Sequence, residues 1–207
     1  MEQNKEIFYV YKSEKEKTDI IIKNVLIMLS NRIYINERGE KHSLLSLNEA
    51  PKKLEDKGNN TYVIRTDNGD DYAIKIMFQT ITTIGKQSVI SDFLGEYASY
   101  HKIIIARDFS NKIAEFITHH HAHTQIFKES ALLENIIDYY DQPKFEILSP
   151  SEKQRFLNEY NVTKYSAKKM NKNDPIARYY ALKKGDVVRI IRSSPVSGES
   201  IDYRMVN

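Results

Sequence analysis

His119, His120, His121 and His123 are the residues whose types and spacing most directly suggest chemistry. Imidazoles at 119 and 123 could share a helix face at i, i+4 and bind a transition metal. No H-E-x-x-H context surrounds them, and the chain has no cysteine to complete a site. They follow a predicted helix, where histidine at the C-terminal end is favourable on electrostatic grounds alone, so a solvated turn is the preferred reading. A second pattern is Asp70-Asp71 followed by Ala73-Ile74-Lys75. Many metal-dependent nucleases hold Mg²⁺ with an Asp on one strand and an acid-x-Lys on the next, the lysine steadying developing charge. Here Ala73 stands where the second carboxylate is needed, and an alanine offers no oxygen ligand. A Mg²⁺-dependent nuclease therefore remains only an alternative.

Other chemical signatures are missing. There is no G-x-G-x-x-G, no G-x-x-x-x-G-K-[ST] and no G-x-S-x-G, and the seven glycines are scattered. Zero cysteines exclude disulfides, thiolate zinc sites and cysteine nucleophiles. The 14 tyrosines and 8 phenylalanines could stack on bases. Most, among them Phe93, Tyr97, Phe116, Phe156 and Tyr160, fall at apolar periodic positions that suit a core better. No cofactor, metal or small-molecule substrate is expected.

The chain has 207 residues, 41% hydrophobic and 29% charged, enough for one large domain or two small ones. No apolar run is long enough to span a membrane and no signal peptide is expected. The net charge of +3 hides an asymmetry. Residues 1–142 carry 18 Lys+Arg against 21 Asp+Glu, and residues 143–207 carry 13 against 7. Such a break marks a candidate domain boundary, and the basic segment suits nucleic acid, an acidic partner or a solvated face.

The elements that would position these residues are legible in outline. Ile21, Val25, Met28 and Leu29 form one stripe of a helix over Thr18–Arg32. Ser46-x-x-Glu49 reads as a capping box for a second helix ended by Gly58. Tyr62–Thr66 and Tyr72–Phe78 flank Asp67-Asn68-Gly69-Asp70 as an antiparallel hairpin. A helix over Lys86–Ser99, a doubly buried strand over Lys102–Arg107 and a helix capped by Ser110 complete a sheet covered by helices. Lys144–Leu148, between Pro143 and Pro150, reads as the join between two domains. Ser149-Pro150-Ser151-Glu152 starts a helix with Phe156, Leu157 and Tyr160 on its apolar face. Asp174-Pro175 starts a shorter one, closed by Lys183-Lys184-Gly185. Val187–Arg192 and Ser200–Val206 follow as strands, linked by a turn through Pro195 and Gly198.

The longest specific stretch is Asn173-Asp174-Pro175-Ile176-Ala177-Arg178-Tyr179-Tyr180-Ala181-Leu182-Lys183-Lys184-Gly185-Asp186-Val187-Val188-Arg189-Ile190-Ile191-Arg192. It resembles the fifth subunit shared by the nuclear DNA-dependent RNA polymerases and the archaeal counterpart of that subunit. That family's pattern is D-P-[VI]-A-R-Y-[FY]-G-[LI]-K-[RK]-G-x-V-V-[KR]-I-x-R, with Ala181 here in place of its first glycine. Ser200-Ile201-Asp202-Tyr203-Arg204-Met205-Val206 is similar to the family's closing [ST]-x-x-Y-R-x-V. The resemblance is strong over 145–207 and weaker, though colinear, over 18–140. It departs at Tyr165-Ser166-Ala167-Lys168, where the family has Leu-Pro-x-Ile, and at Tyr139 and Phe145, where it has histidines.

The resemblance implies an α+β protein of two domains. Residues 1–142 would be an α/β, nuclease-like three-layer jaw domain without an active site, near downstream double-stranded DNA. Residues 143–207 would be a small α+β assembly domain docking on the largest subunit. The protein would then be a non-catalytic polymerase subunit whose partners are the other subunits and DNA, with no membrane. Asp174, Pro175, Ile176, Ala177, Arg178, Tyr179, Lys183, Arg192, Tyr203 and Arg204 are the expected partner interface. A salt bridge within the domain is the other reading of Arg178. Lys86 and Lys112, near predicted helix starts, are the candidate DNA contacts. The divergence suggests a viral member working in host cytoplasm and virion; a cellular member would be nuclear. A free-standing nucleic-acid-binding protein is the remaining alternative.

Overall fold

The computed structural model describes residues 12–85, 88–163, 166–194 and 198–207. Helix α1 (Glu14–Asn31) begins four residues before the expected Thr18, because Ser13 and Glu16 form a reciprocal capping box. Its stripe of Ile21, Val25, Met28 and Leu29 is fully buried. A small hairpin follows, β1 (Ile33–Ile35) with β2 (Lys41–Ser43).

The helix expected after Ser46 is reduced to a single turn, α2 (Ala50–Lys53). Ser46 caps nothing: its backbone N–H donates to the Asp67 carboxylate at 2.8 Å. Leu54–Gly58 is instead β3, paired antiparallel with β4 (Thr61–Arg65), so sheet pairing overrides the local helix signal. Gly58, at φ +80°, opens the turn between those strands and ends no helix.

The hairpin of β4 with β5 (Asp71–Ile81) forms as expected, with Gly69 at φ +94° in its turn. Helix α3 (Val89–Glu96) is shorter than Lys86–Ser99, since Ser88 caps it and Tyr97 ends it. Then come β6 (His101–Phe109), α4 (Asn111–His120) capped by Ser110, β7 (Thr124–Lys128) and α5 (Ser130–Leu133). The sheet runs β3-β4-β5-β6-β7, antiparallel across its first three strands and parallel across its last three. Ile74, Ile76, Ile103, Ile105 and Phe127 face α1 and α5. Ala73, Met77, Ile104, Ala106 and Ile126 face α3 and α4. With both faces covered, Ile103 to Ala106 must be apolar throughout.

A second sheet follows a 3₁₀ turn (Ile136–Asp138). Lys144–Leu148, expected as a join, contributes β8 (Lys144–Ile147), hydrogen-bonded to β10 (Val187–Ser194). Its order is β8-β10-β11-β9, with β9 at Lys169–Met170 and β11 at Gly198–Val206. The Pro195 end of the β10–β11 turn lies outside the described residues. Helix α6 (Pro150–Glu159), started by the expected Ser149–Glu152 capping box, packs Phe156 on Val187 and Met205. Helix α7 (Pro175–Tyr179) packs Ile176 and Ala177 on Val188, Ile190 and Val206 across the other face. Among the described residues the fold is thus α+β, built on three sheets.

Gly185 does not end α7. The helix stops at Tyr179, and Ala181 takes φ +52° while Leu182 N–H returns to Ala177 O at 2.8 Å. That is the left-handed helix-end position where glycine is normally favoured. Gly185, at φ +92°, makes a separate turn into β10. A side chain in the left-handed region costs roughly 1–2 kcal/mol. Ala181→Gly should therefore raise unfolding free energy by about 0.5–1 kcal/mol after the added freedom of the unfolded chain, whereas Ala181→Val should lower it by more than about 1 kcal/mol. Urea denaturation of the two variants measures both.

Candidate functional site

The signature segment Asp174–Tyr180 is held at both ends by its own chain. At its start the Asp174 carboxylate accepts the Ile176 N–H at 2.9 Å, and Pro175 supplies the first helical φ angle. At its end the Tyr179 carbonyl would be left over, as at any helix C-terminus, while the Arg178 carbonyl accepts the Ala181 N–H at 3.1 Å and keeps a second lone pair. Arg32, one residue past α1 and only 3% exposed, reaches them: Nε donates to Tyr179 O at 2.8 Å and Nη2 to Arg178 O at 3.3 Å. Gln125 Nε2 on β7 adds a bond to Arg178 O at 3.3 Å. Asn31 Nδ2 donates to the Tyr179 hydroxyl at 3.1 Å, and the Tyr179 ring is buried with the α1 core.

The Arg178 side chain turns back in the same way. Its Nη2 donates to Ile126 O on β7, and its guanidinium lies 5.0 Å from the centre of the Phe127 ring. The expectation that Tyr179 meets a partner is corrected here, since its ring, hydroxyl and carbonyl are all taken up within the chain. The backbone of Arg178 is likewise internal. A five-residue helix is unstable alone, and its own first sheet, with α1, supplies the support. No salt bridge explains Arg178 either: among the described residues its acceptor is a carbonyl.

Burial sets the electrostatics of this joint. Loss of solvent pulls the Arg32 guanidinium below its ordinary range and pushes the Tyr179 hydroxyl up to about 12. Among the described residues no carboxylate pairs with Arg32; the Met28 sulfur at 3.5 Å and the Tyr72 hydroxyl are its other neighbours. The cation is matched by carbonyl dipoles instead. Farther out, Lys41 on β2 and Glu152 on α6 form a second tie between the two sheets' surroundings.

The other expected residues scatter. Ile176 and Ala177 are core, and Pro175, Lys183 and Arg192 are exposed. Tyr203 is stacked on Phe156 at 4.4 Å, with the exposed Tyr160 at 5.6 Å. Arg204 lies 3.7 Å from the Asp202 carboxylate. Lys112 is exposed on α4, and Lys86 lies outside the described residues. Arg32 was missed, although it continues the α1 stripe four residues after Met28, and an arginine in apolar phase was the available signal.

Neither pattern considered for metal chemistry is assembled. Helix α4 ends at His120 and His123 adopts φ +55°, so the helical spacing of His119 and His123 does not exist. His120 stacks on Phe116 at 4.2 Å and His123 packs at 4.6 Å from His101. Ala73 is completely buried, while the Lys75 amine donates to Asn59 O at 2.6 Å and the Thr61 hydroxyl at 3.0 Å. Lys75 is thus engaged in holding the β3–β4 turn.

Comparison with known proteins agrees with the signature segment and extends beyond it. Residues 134–206 match the family described as RNA polymerase Rpb5, C-terminal domain. Over 206 residues, covering 100% of both chains, the sequence is 48% identical to DNA-directed RNA polymerase subunit 5 of Acanthamoeba polyphaga mimivirus. It is 29% identical over 194 residues to the Dictyostelium discoideum subunit rpabc1 of RNA polymerases I, II and III, covering 89% of this chain and 94% of that one. Subunit Rpo5 of Methanocaldococcus jannaschii is 39% identical over 71 residues, 34% of this chain but 91% of its own length.

Removing the Arg32 fork leaves Tyr179 O buried without that donor. Arg32→Met should cost about 2–3 kcal/mol, and Arg32→Lys should recover less than half, because an ammonium cannot serve both carbonyls in the fork geometry. Chemical denaturation of the two variants decides it. The Tyr179 hydroxyl gives a pH signature. Its folded value is raised, so its contribution is complete below the unfolded tyrosine value near 10 and is lost as pH climbs toward about 12. Tyr179→Phe should flatten the loss of stability over that window, as followed by denaturation at stepped alkaline pH.

Proposed function

The chain belongs to the subunit 5 family of DNA-directed RNA polymerases, non-catalytic components of the transcribing enzyme, and from that premise we propose how it serves there. Residues 143–207 form the assembly domain, docked on the largest subunit, and residues 1–142 form a nuclease-like jaw domain near downstream double-stranded DNA. The observation that carries this reading is the full-length match to a viral polymerase subunit together with the signature segment. The archaeal relative matches 71 residues, a third of this chain but 91% of its own length, which supports a part of that size as a unit that can assemble by itself.

The docking surface is assigned to groups that the joint leaves outward: Lys183, Arg192, and the Tyr203–Arg204 strand beside Tyr160. Paired tyrosines with neighbouring arginines have the composition of interface hot spots. The jaw domain is acidic overall, so its DNA contact is local. Lys112, exposed near the start of α4, is the described candidate and its contact would be to phosphate, without sequence preference. Similarity to a mimivirus protein supports work in host cytoplasm and virion. Among the described residues no helix is long and apolar enough to cross a membrane.

Tagged chain purified from cells in which it is native should bring down the large polymerase subunits in fixed ratio. Recovery without them would contradict the reading. Within that complex, Lys112→Glu should leave subunit composition unchanged while lowering downstream DNA retention and the steepness of its salt dependence.

A further inference from the structure

A cavity of about 440 Å³ lies between α4 and β7 on one side and the segment leading through α7 on the other. Asn111, Glu115 and His119 line its first wall, and Lys172, Asn173 and Arg178 line the second. Arg178 spends Nη2 on Ile126 O, the one acceptor its guanidinium has among the described residues. Its remaining donors are not sealed in the core, and the side chain borders the cavity. Lys172 is exposed, and among the described residues neither it nor Arg178 forms an ion pair. Two cations from a basic segment therefore border one cavity, which Glu115 lines as its single acid.

We propose that this cavity receives a carboxylate side chain from a neighbouring polymerase subunit, gripped by the free edge of the Arg178 guanidinium with Lys172 as second counter-charge. The inference rests on the reading of the chain as a polymerase subunit and adds a site to it. A guanidinium edge fits a planar carboxylate with two parallel N–H···O bonds. A DNA duplex offers a continuous row of phosphates, about one charge per 1.7 Å of axis, and calls for a broad basic strip rather than two cations inside a recess. Arg178 thus acts in two directions: its backbone and one amine close the joint within the chain, while its other donors wait for the partner.

The test is zero-length carbodiimide coupling on the intact polymerase, which joins a lysine amine only to a carboxylate in direct contact, followed by peptide mass spectrometry. The expected product links Lys172 to an Asp or Glu of another subunit. Arg178→Gln should reduce that product, and Lys172→Gln, a change at an exposed residue, should weaken retention of the chain at raised salt by about tenfold. Thermal melting of the free variants separates lost contact from lost folding, and Lys172→Gln should melt as the parent does. Coupling of Lys172 only to Glu115, or to nothing while other lysines of the chain couple, would overturn the proposal. So would unchanged subunit retention with weakened DNA retention in Lys172→Gln, which would hand the cavity to phosphate. Absence of the chain from purified polymerase is a separate result, and it would remove the subunit reading itself.

Discussion

A cation buried against two carbonyl oxygens ties this molecule together. Arg32 sits 3% exposed at the end of α1, and it faces the dipoles at the end of α7 rather than a carboxylate. Helix ends carry unsatisfied carbonyls and partial negative charge. A helix as short as α7 cannot stand without a support for that end. The arginine supplies one, and because it comes from the first sheet's side of the chain, it joins the two sheets in the same act. Gln125, Asn31 and the Arg178–Ile126 bond repeat the connection around it. Everything placed outward on the second sheet inherits its orientation from this contact.

That arrangement changes what the signature segment means. Its regularity reads as a surface shaped for another protein, and the structure spends most of it internally: Ile176 and Ala177 in the second sheet's core, Tyr179 in the first sheet's. Left outward are the exposed Lys183 and Arg192, the tilted Tyr160–Tyr203 pair and the unspent edge of Arg178. A polymerase subunit that does no bond-making must contribute by position. A joint that fixes one half against the other is the physical form such a contribution takes.

The sequence carried the strands and helices whose signals are local and doubled. Ser149 and Glu152 cap α6 as their spacing requires, and Asn68-Gly69 turns the β4–β5 hairpin. The apolar run at Ile103 is doubly buried. The Ser46 capping box failed because Asp67, 21 residues away, takes the Ser46 N–H and β4 pairs with the residues that the helix needed. Ala181 stands where the family pattern has glycine, and only the backbone angle shows that the helix ends there. Arg32 and Tyr179 are partners 147 residues apart, and no periodicity links them. The family resemblance supplied function, while the joint was legible only in three dimensions.

Hydrogen exchange at the amides of Arg178, Tyr180 and Leu182 in the free chain probes the joint most directly, since these N–H groups bond to Asp174, Ile176 and Ala177 and open only when α7 does. Protection matching that of the β5–β6 centre is the result expected if Arg32 welds α7 to the first sheet. Exchange as fast as a surface loop, slowing only once the chain is assembled into polymerase, would mean that the partner rather than Arg32 holds the helix, and would contradict the account.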